Sequence, residues 1–167
     1  MPTKRQVFYS FHYEHDNARA SLVRNIGVVE GNKPAPDNDW ESIKRGGENA
    51  IKRWIAKQMQ YRSCTIVLVG THTANRKWIN YEIIKSWNDG MGVAGIHIHG
   101  LNYFDQGTSA LGHNPFDFIS LVKTGAKLSS VVECYNPPGN NSKERYDWIA
   151  QNIGAIADEA VKIRERY

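Results

Sequence analysis

The sequence predicts a doubly wound α/β domain, with a five-stranded parallel sheet flanked by helices and a C-terminal amphipathic helix. Two observations predict it. Five short apolar runs, among them the β-branched "CTIVLVG" (64–70), read as strands, and that run is what a strand covered on both faces looks like. Amphipathic stretches of helical length separate most of them, and parallel neighbours need such crossovers, which are right-handed. At 167 residues the chain suits one domain over 1–167, with a core over about 5–134 and the last helix, about 142–166, packed on it.

Taken in order, "RQVFYSF" is a first strand, and "DNARASLVRNI" places Ala18, Leu22 and Ile26 four apart, predicting an inward helical face. "GVVEG" is a short second strand or its stub. In "NKPAPDNDW", Pro34 and Pro36 exclude both helix and central strand. Gly31 and these prolines would permit the loop from Asn32 to Trp40 to act as a lid, with Trp40 a weak site candidate. A helix over 48–61 repeats Ile51, Trp54 or Ile55, and Gln58 or Met59, and leads into the third strand. "THTAN" then offers several cap candidates before "RKWINYEIIKSWNDG", where Ile79, Ile83 and Trp87 mark the buried face and Gly90 the stop. "VAGIHIHGL" is the fourth strand, 101–127 is largely irregular, and "SSVVECY" is the fifth. After the break "NPPGNNS", Ile149, Ile153, Ile156, Ala160 and Ile163 form one helical stripe, despite Gly154, which costs roughly 1 kcal/mol of helix propensity.

This pattern suits the flavodoxin-like strand order 2-1-3-4-5. Its switch point lies between strands one and three, and open α/β sheets bind ligands there, outside the strand C-termini. The segments facing that crevice are "SFHYEHD" and "GTHTANRKW".

Composition narrows the function classes. No apolar run approaches the roughly 18 residues of a spanning helix, and the apolar run after "MPTKR" is too short for a signal peptide. A cytoplasmic chain without a membrane partner is expected. The net charge is +4, but basic residues are interleaved with acids, so no nucleic-acid partner is expected; a phosphate-bearing small ligand would suit that charge equally well. Cys64 and Cys134 lack partners at metal-ligand spacing and are expected to be small buried residues. "GMGVAG" fits the letters of a dinucleotide fingerprint but ends a helix and enters a strand, the reverse of the required order. His97 and His99 share a strand face and would supply two metal ligands, but no third is visible, so no metal site is assigned.

The sharper constellation is "NRKWINYE" (75–82). Trp78 and Glu82 are four apart, so an aromatic plate and a carboxylate share one helical face beside the crevice. The ordinary alternative makes Trp78 core and pairs Glu82 with Lys85 or Arg76 in solvent.

At these residues the chain resembles TIR-type domains, most closely the TIR-like proteins of the bacterial Thoeris antiphage system (ThsB type). The resemblance rests on "VFYSFHYEHDNAR" with Ser10, Phe11, Asp16 and Arg19, on the third strand "CTIVLVG", and on a tryptophan four residues before a glutamate. It covers roughly residues 5–134, and His12 within "SFHY" points to the Thoeris-like branch. The loop "EGNKPAPDNDW" lacks the Arg-Asp-x-x-Pro-Gly pattern by which many TIR domains associate, which argues against assembly by that route but leaves a homo-oligomer open.

The resemblance implies an enzyme in which Glu82 serves cleavage of the nicotinamide–ribose bond of NAD. NAD would be the substrate, and no resident cofactor is implied. Nicotinamide departs as a neutral group while positive charge grows on the ribose, a centre that a carboxylate stabilises. Phe11 and Trp78 would stack on rings, and His12 and Arg19 would hold the pyrophosphate. Ser10, Phe11, His12, Asp16, Arg19 and Trp78 are thus the expected substrate-binding residues. The product would be a cyclic ADP-ribose isomer, made in response to a phage-derived trigger, that diffuses to a separate effector. Two other classes stay open: a TIR-like module that only binds proteins, and a flavodoxin-like domain that processes another nucleotide or nucleoside.

Overall fold

Strands β3 (Cys64–Val69) and β4 (Gly92–His97) are buried at every position and form the centre of the sheet. β1 (Gln6–Ser10) pairs beside β3, β2 (Glu30–Gly31) lies outside β1, and β5 (Cys134–Tyr135) lies outside β4. All pairs are parallel and the order is β2-β1-β3-β4-β5, as the sequence predicts. The computed structural model describes residues 4–32, 42–102 and 107–167. The proposed lid, with Trp40, falls outside them except for Asn32.

Alternation along the strands divides the core. Val7, Tyr9, Ile66, Leu68, Ala94 and Ile96 face α1 (Tyr13–Arg24) and α4 (Ser142–Glu165). On the opposite face Phe8 meets Ile51, Ile55 and Met59 of α2 (Gly47–Met59), and Val67, Val69 and Val93 meet Ile79 and Ile83 of α3 (Lys77–Asn88). The C-terminal stripe is buried at all five predicted positions. Its helix starts on a reciprocal cap: Glu144 N donates to Asn141 Oδ1 at 2.9 Å, and Asn140 N donates to Glu144 Oε2 at 2.6 Å. Gly92 explains how α4 sits so close, because a Cβ there would stand 2.6 Å from Val161 N and 2.7 Å from Ala160 C. The glycines of "GMGVAG" therefore serve a helix end, where Gly90 has φ +81°, and a close helix–strand contact.

Several expectations shift. The inward residues of α1 are Asp16, Arg19, Ala20 and Val23, so its buried face is rotated from the Ala18–Leu22 line; Ile26 is buried only after the helix has ended. The cause is polar: an Asp–Arg pair occupies core positions that an apolar period cannot register. The fifth strand shortens to two residues, preceded by a 3₁₀ turn at Leu128–Ser130. Within the irregular 101–127 segment, a second 3₁₀ turn at Pro115–Phe118 buries Phe116 completely. The cap candidates of "THTAN" do not cap α3. Thr73 Oγ1 instead accepts from Gly70 N at 2.8 Å, and the N-cap, Arg76, makes no side-chain cap bond. Trp87 is half-buried with the Arg164 guanidinium 4.6 Å from its ring, and Cys134 is half-buried while Cys64 is fully buried. Among the described residues no helix is long and apolar enough to cross a membrane.

Gly92→Ala should destabilise the protein by about 1–3 kcal/mol in urea unfolding, because the obstacle is helix backbone that cannot rotate away. Gly27→Ala, whose new methyl would meet only Lys4 Nζ at 3.7 Å, is the matched control and should lie within about 1 kcal/mol of the parent. Equal losses would show that the α4–β4 approach is not constrained at Gly92.

Candidate active site

The alternation that sends Tyr9 toward α1 sends Ser10, the last residue of β1, toward α3. Ile79 and Ile83 anchor α3 on the sheet, which turns Trp78 and Glu82 toward the C-terminal end of β1. Ser10 Oγ donates to Glu82 Oε1 at 3.0 Å, and both residues are buried, with Glu82 8% exposed. Ser86 fixes the next turn: its Oγ donates to Glu82 O at 2.7 Å and lies 2.6 Å from Thr65 Oγ1 of β3. Burial pushes the Glu82 carboxyl up to about 8, against the smaller opposing effect of the Ser10 hydrogen bond. The ligand-free site therefore holds Glu82 largely protonated at neutral pH.

Glu82 lines a cavity of about 310 Å³ between the end of β1 and helices α2 and α3. Phe8, Ile51, Ile55 and Ile79 give it an apolar base, and Phe11, Tyr13, Trp54 and Trp78 supply aromatic surface. Trp78 is held edge-on by Tyr81, with ring centroids 5.5 Å apart. Asn32 and His12 add polar groups, and Glu14, Lys44, Arg76 and Lys77 add charge. Burial first, then the nearby charges of Arg76 and His15, lower the His12 imidazole to about 4, so it is neutral at pH 7. Its Nε2 is buried without a hydrogen-bond partner.

Of the residues singled out from sequence, Phe11, His12, Trp78 and Glu82 line this cavity, and Ser10 stands behind Glu82. Asp16 and Arg19 do not line it. Arg19 Nη1 donates to Asp16 Oδ1 at 3.3 Å, its Nε to Leu101 O at 3.0 Å and its Nη2 to Gly107 O at 3.0 Å. Asp16 packs so closely on Gly70 that a Cβ there would meet its carboxylate. The pair thus ties α1 to the segments that follow β3 and β4. The solvent alternative for Glu82 does not hold either: Lys85 pairs with Asp89, and Arg76 Nε donates to His72 O.

Sequence reasoning did not assign Trp54, Asn32, Lys44, Arg76 or Lys77 to the site. Trp54 carried a signal, since it competed with Ile55 for the buried stripe of α2; Ile55 is the core residue and Trp54 sits beside it on the cavity wall. Arg76 and Lys77 adjoin Trp78, but interleaved surface charge hid them. His97 lies at the end of β4 with Nε2 3.5 Å from Cys134 Sγ, and His99 Nε2 lies 3.4 Å from Arg145 Nη1. Among the described residues no cluster of three or more His, Cys, Asp or Glu side chains is arranged to hold a metal.

Residues 8–103 match the family model of the Thoeris protein ThsB, TIR-like domain. The chain belongs to this family. All of the cavity's lining residues, Phe8 to Glu82, fall inside the matched span. Over 166 residues the chain is also 32% identical to the protein named "Putative cyclic ADP-D-ribose synthase ThsB1" of Bacillus cereus (strain MSX-D12), covering 95% of this chain and 84% of that one. In this ThsB-type TIR-like domain the tryptophan–glutamate pair of α3 faces the cavity at the C-terminal end of β1, a strand that borders the sheet's switch point.

The raised Glu82 pKa has a stability consequence. The folded state keeps a proton that the unfolded chain releases above the ordinary value of 4.5, so stability falls as pH rises from about 4.5 to about 8. Glu82→Gln should remove that slope. It is expected to change thermal stability little at pH 5 and to raise it by on the order of 2–4 kcal/mol near pH 8. An equal change at both pH values would mean that Glu82 is not held protonated.

Proposed function

We propose that this chain cleaves the nicotinamide–ribose bond of NAD and closes the remaining ADP-ribosyl group into a cyclic ADP-ribose isomer. The observation that carries the reading is the buried Glu82 carboxyl, held by Ser10 inside a cavity with aromatic walls. The name of the Bacillus cereus relative, a putative cyclic ADP-D-ribose synthase, supports the same reaction class.

The chemistry follows from these groups. As the C–N bond breaks, its electron pair leaves with nicotinamide, which departs neutral, and the ribose becomes an oxocarbenium-like cation. Glu82 in its carboxylate form opposes that charge in a site of low polarity. Phe11, Trp54 and Trp78 offer faces for the planar rings, and Ser10 orients the carboxylate. A hydroxyl of the same molecule then attacks the cation and loses its proton, which closes the ring. Capture by water would give linear ADP-ribose instead. NAD is thus a substrate and not a resident cofactor. In a cell, a phage-derived trigger would switch the enzyme on, and the cyclic product would carry the signal to a separate effector in antiphage defence. Synthesis would take place in the cytoplasm.

Incubation with NAD, with and without extract of phage-infected cells, should yield nicotinamide and a cyclic product. Glu82→Gln should lower the rate by about 10²–10³-fold, while Glu133→Gln, at an exposed position, should not. Protonated Glu82 cannot oppose the cation, so kcat/KM should rise with pH and level off above about 8. No nicotinamide release under any of these conditions would overturn the enzymatic reading and favour a protein-binding module.

A further inference from the structure

We infer that Arg76 and Lys77, at the start of α3, form a diphosphate clamp that selects dinucleotide substrates, and that Glu48 competes with the substrate for it. The inference rests on the preceding reading of the cavity and adds the part of the site that recognises phosphate.

Both cations line the cavity that holds Trp78 and Glu82. Arg76 is anchored, because its Nε donates to His72 O at 2.6 Å, which leaves the η nitrogens to meet a ligand. It also sits close enough to His12 to lower that imidazole's pKa, and His12 lines the same cavity. Lys77 Nζ lies 5.2 Å from the Trp78 ring centroid and pairs with Glu48 in the first turn of α2. That ion pair links the N-terminal turns of the two helices that wall the cavity. Both partners are exposed, at 64% for Lys77 and 59% for Glu48, so the pair is weak enough to exchange.

Helix electrostatics single out this place. A helix N-terminus favours acids and disfavours cations. The first turn of α3 has no acid and no side-chain cap, and it carries Arg76 and Lys77 instead. Two cations at a helix start whose N-cap makes no side-chain cap bond suit an anion with several oxygens, and the diphosphate of a dinucleotide is one. The lining carboxyls other than Glu82 reduce to Glu14, on the α1 side near His12. Arg19, the cation that sequence alone favours for this task, is occupied by Asp16, Leu101 O and Gly107 O.

The clamp predicts opposite effects from two charge removals. Calorimetric titration should show NAD binding about tenfold more weakly to Arg76→Gln, the loss of one charge-assisted contact, and two- to fivefold more tightly to Glu48→Gln, which frees Lys77. Nicotinamide riboside, which lacks both phosphates, should bind both variants as it binds the parent. Raising the salt concentration should weaken NAD and leave the riboside unaffected. Unchanged NAD affinity in Arg76→Gln, or an equal loss for the riboside, would overturn the clamp while leaving the NAD reading intact. Failure of the parent protein to bind NAD at all would instead overturn the reading on which the clamp rests. Circular dichroism at the titration temperature verifies that each variant is folded.

Discussion

A carboxyl group buried between a strand end and a helix is the constraint around which this site is arranged. Glu82 sits where an apolar residue would stabilise the fold, and among the described residues a side-chain hydrogen bond from Ser10 compensates it. Such a group is costly to ionise without a partner. It holds its place because the flanking turns are secured independently. Ile79 and Ile83 are buried in the sheet–helix core, and Ser86 locks onto Thr65 and onto the carbonyl of Glu82 itself. α3 is thus clamped on both sides of the residue it has to present. The same logic explains why β1 ends in serine: a valine there would cover β3 equally well but would leave the carboxyl with no donor.

The parallel order turns that local arrangement into a cavity. With β1 between β2 and β3, the crossover helix α2 lies beside α3 on one face while α1 goes to the other. The end of β1 therefore opens into a gap beside α2 and α3 that the strand does not fill. Asp16 and Arg19 lie outside this opening. By tying α1 to Leu101 and Gly107, and by packing on Gly70, they fix the segments that emerge from β3 and β4.

What was legible in the sequence follows from what periodicity can record. Strand order, the buried C-terminal stripe and the shared face of Trp78 and Glu82 all depend on repeating geometry, and they stand in the structure as read. The α1 face did not, because Asp16 and Arg19 among its inward positions are charged and a pattern of apolar residues cannot mark them. Phe116 was missed for a related reason: one aromatic in an irregular segment has no period, and it packs against Gly95, where a Cβ would stand 3.0 Å from the Phe116 ring. The two segments singled out from sequence both reach the cavity, one through Phe11 to Glu14 and the other through Arg76 to Trp78, but the sequence pattern does not mark which cations line it. Arg19 and Arg76 each lie near an aromatic–acid cluster in the sequence. Only tertiary contacts separate a guanidinium saturated by carbonyls from one held at the cavity wall.

That distinction bears on how the site could operate. Burial keeps Glu82 protonated and His12 neutral, so the charge on the lining comes from Glu14, Lys44, Arg76 and Lys77, the last two at the start of α3. NAD carries the complementary distribution, with a cationic pyridinium at one end and a diphosphate in the middle. If the diphosphate lies against Arg76 and Lys77, the pyridinium is directed toward Glu82, and its positive charge favours loss of the carboxyl proton. The substrate would then create the carboxylate that its own cleavage requires, and the empty site would avoid the cost of a buried negative charge. A carboxyl with a pKa of about 8 in the free protein is therefore compatible with catalysis at neutral pH, because it stays protonated only until a cation arrives.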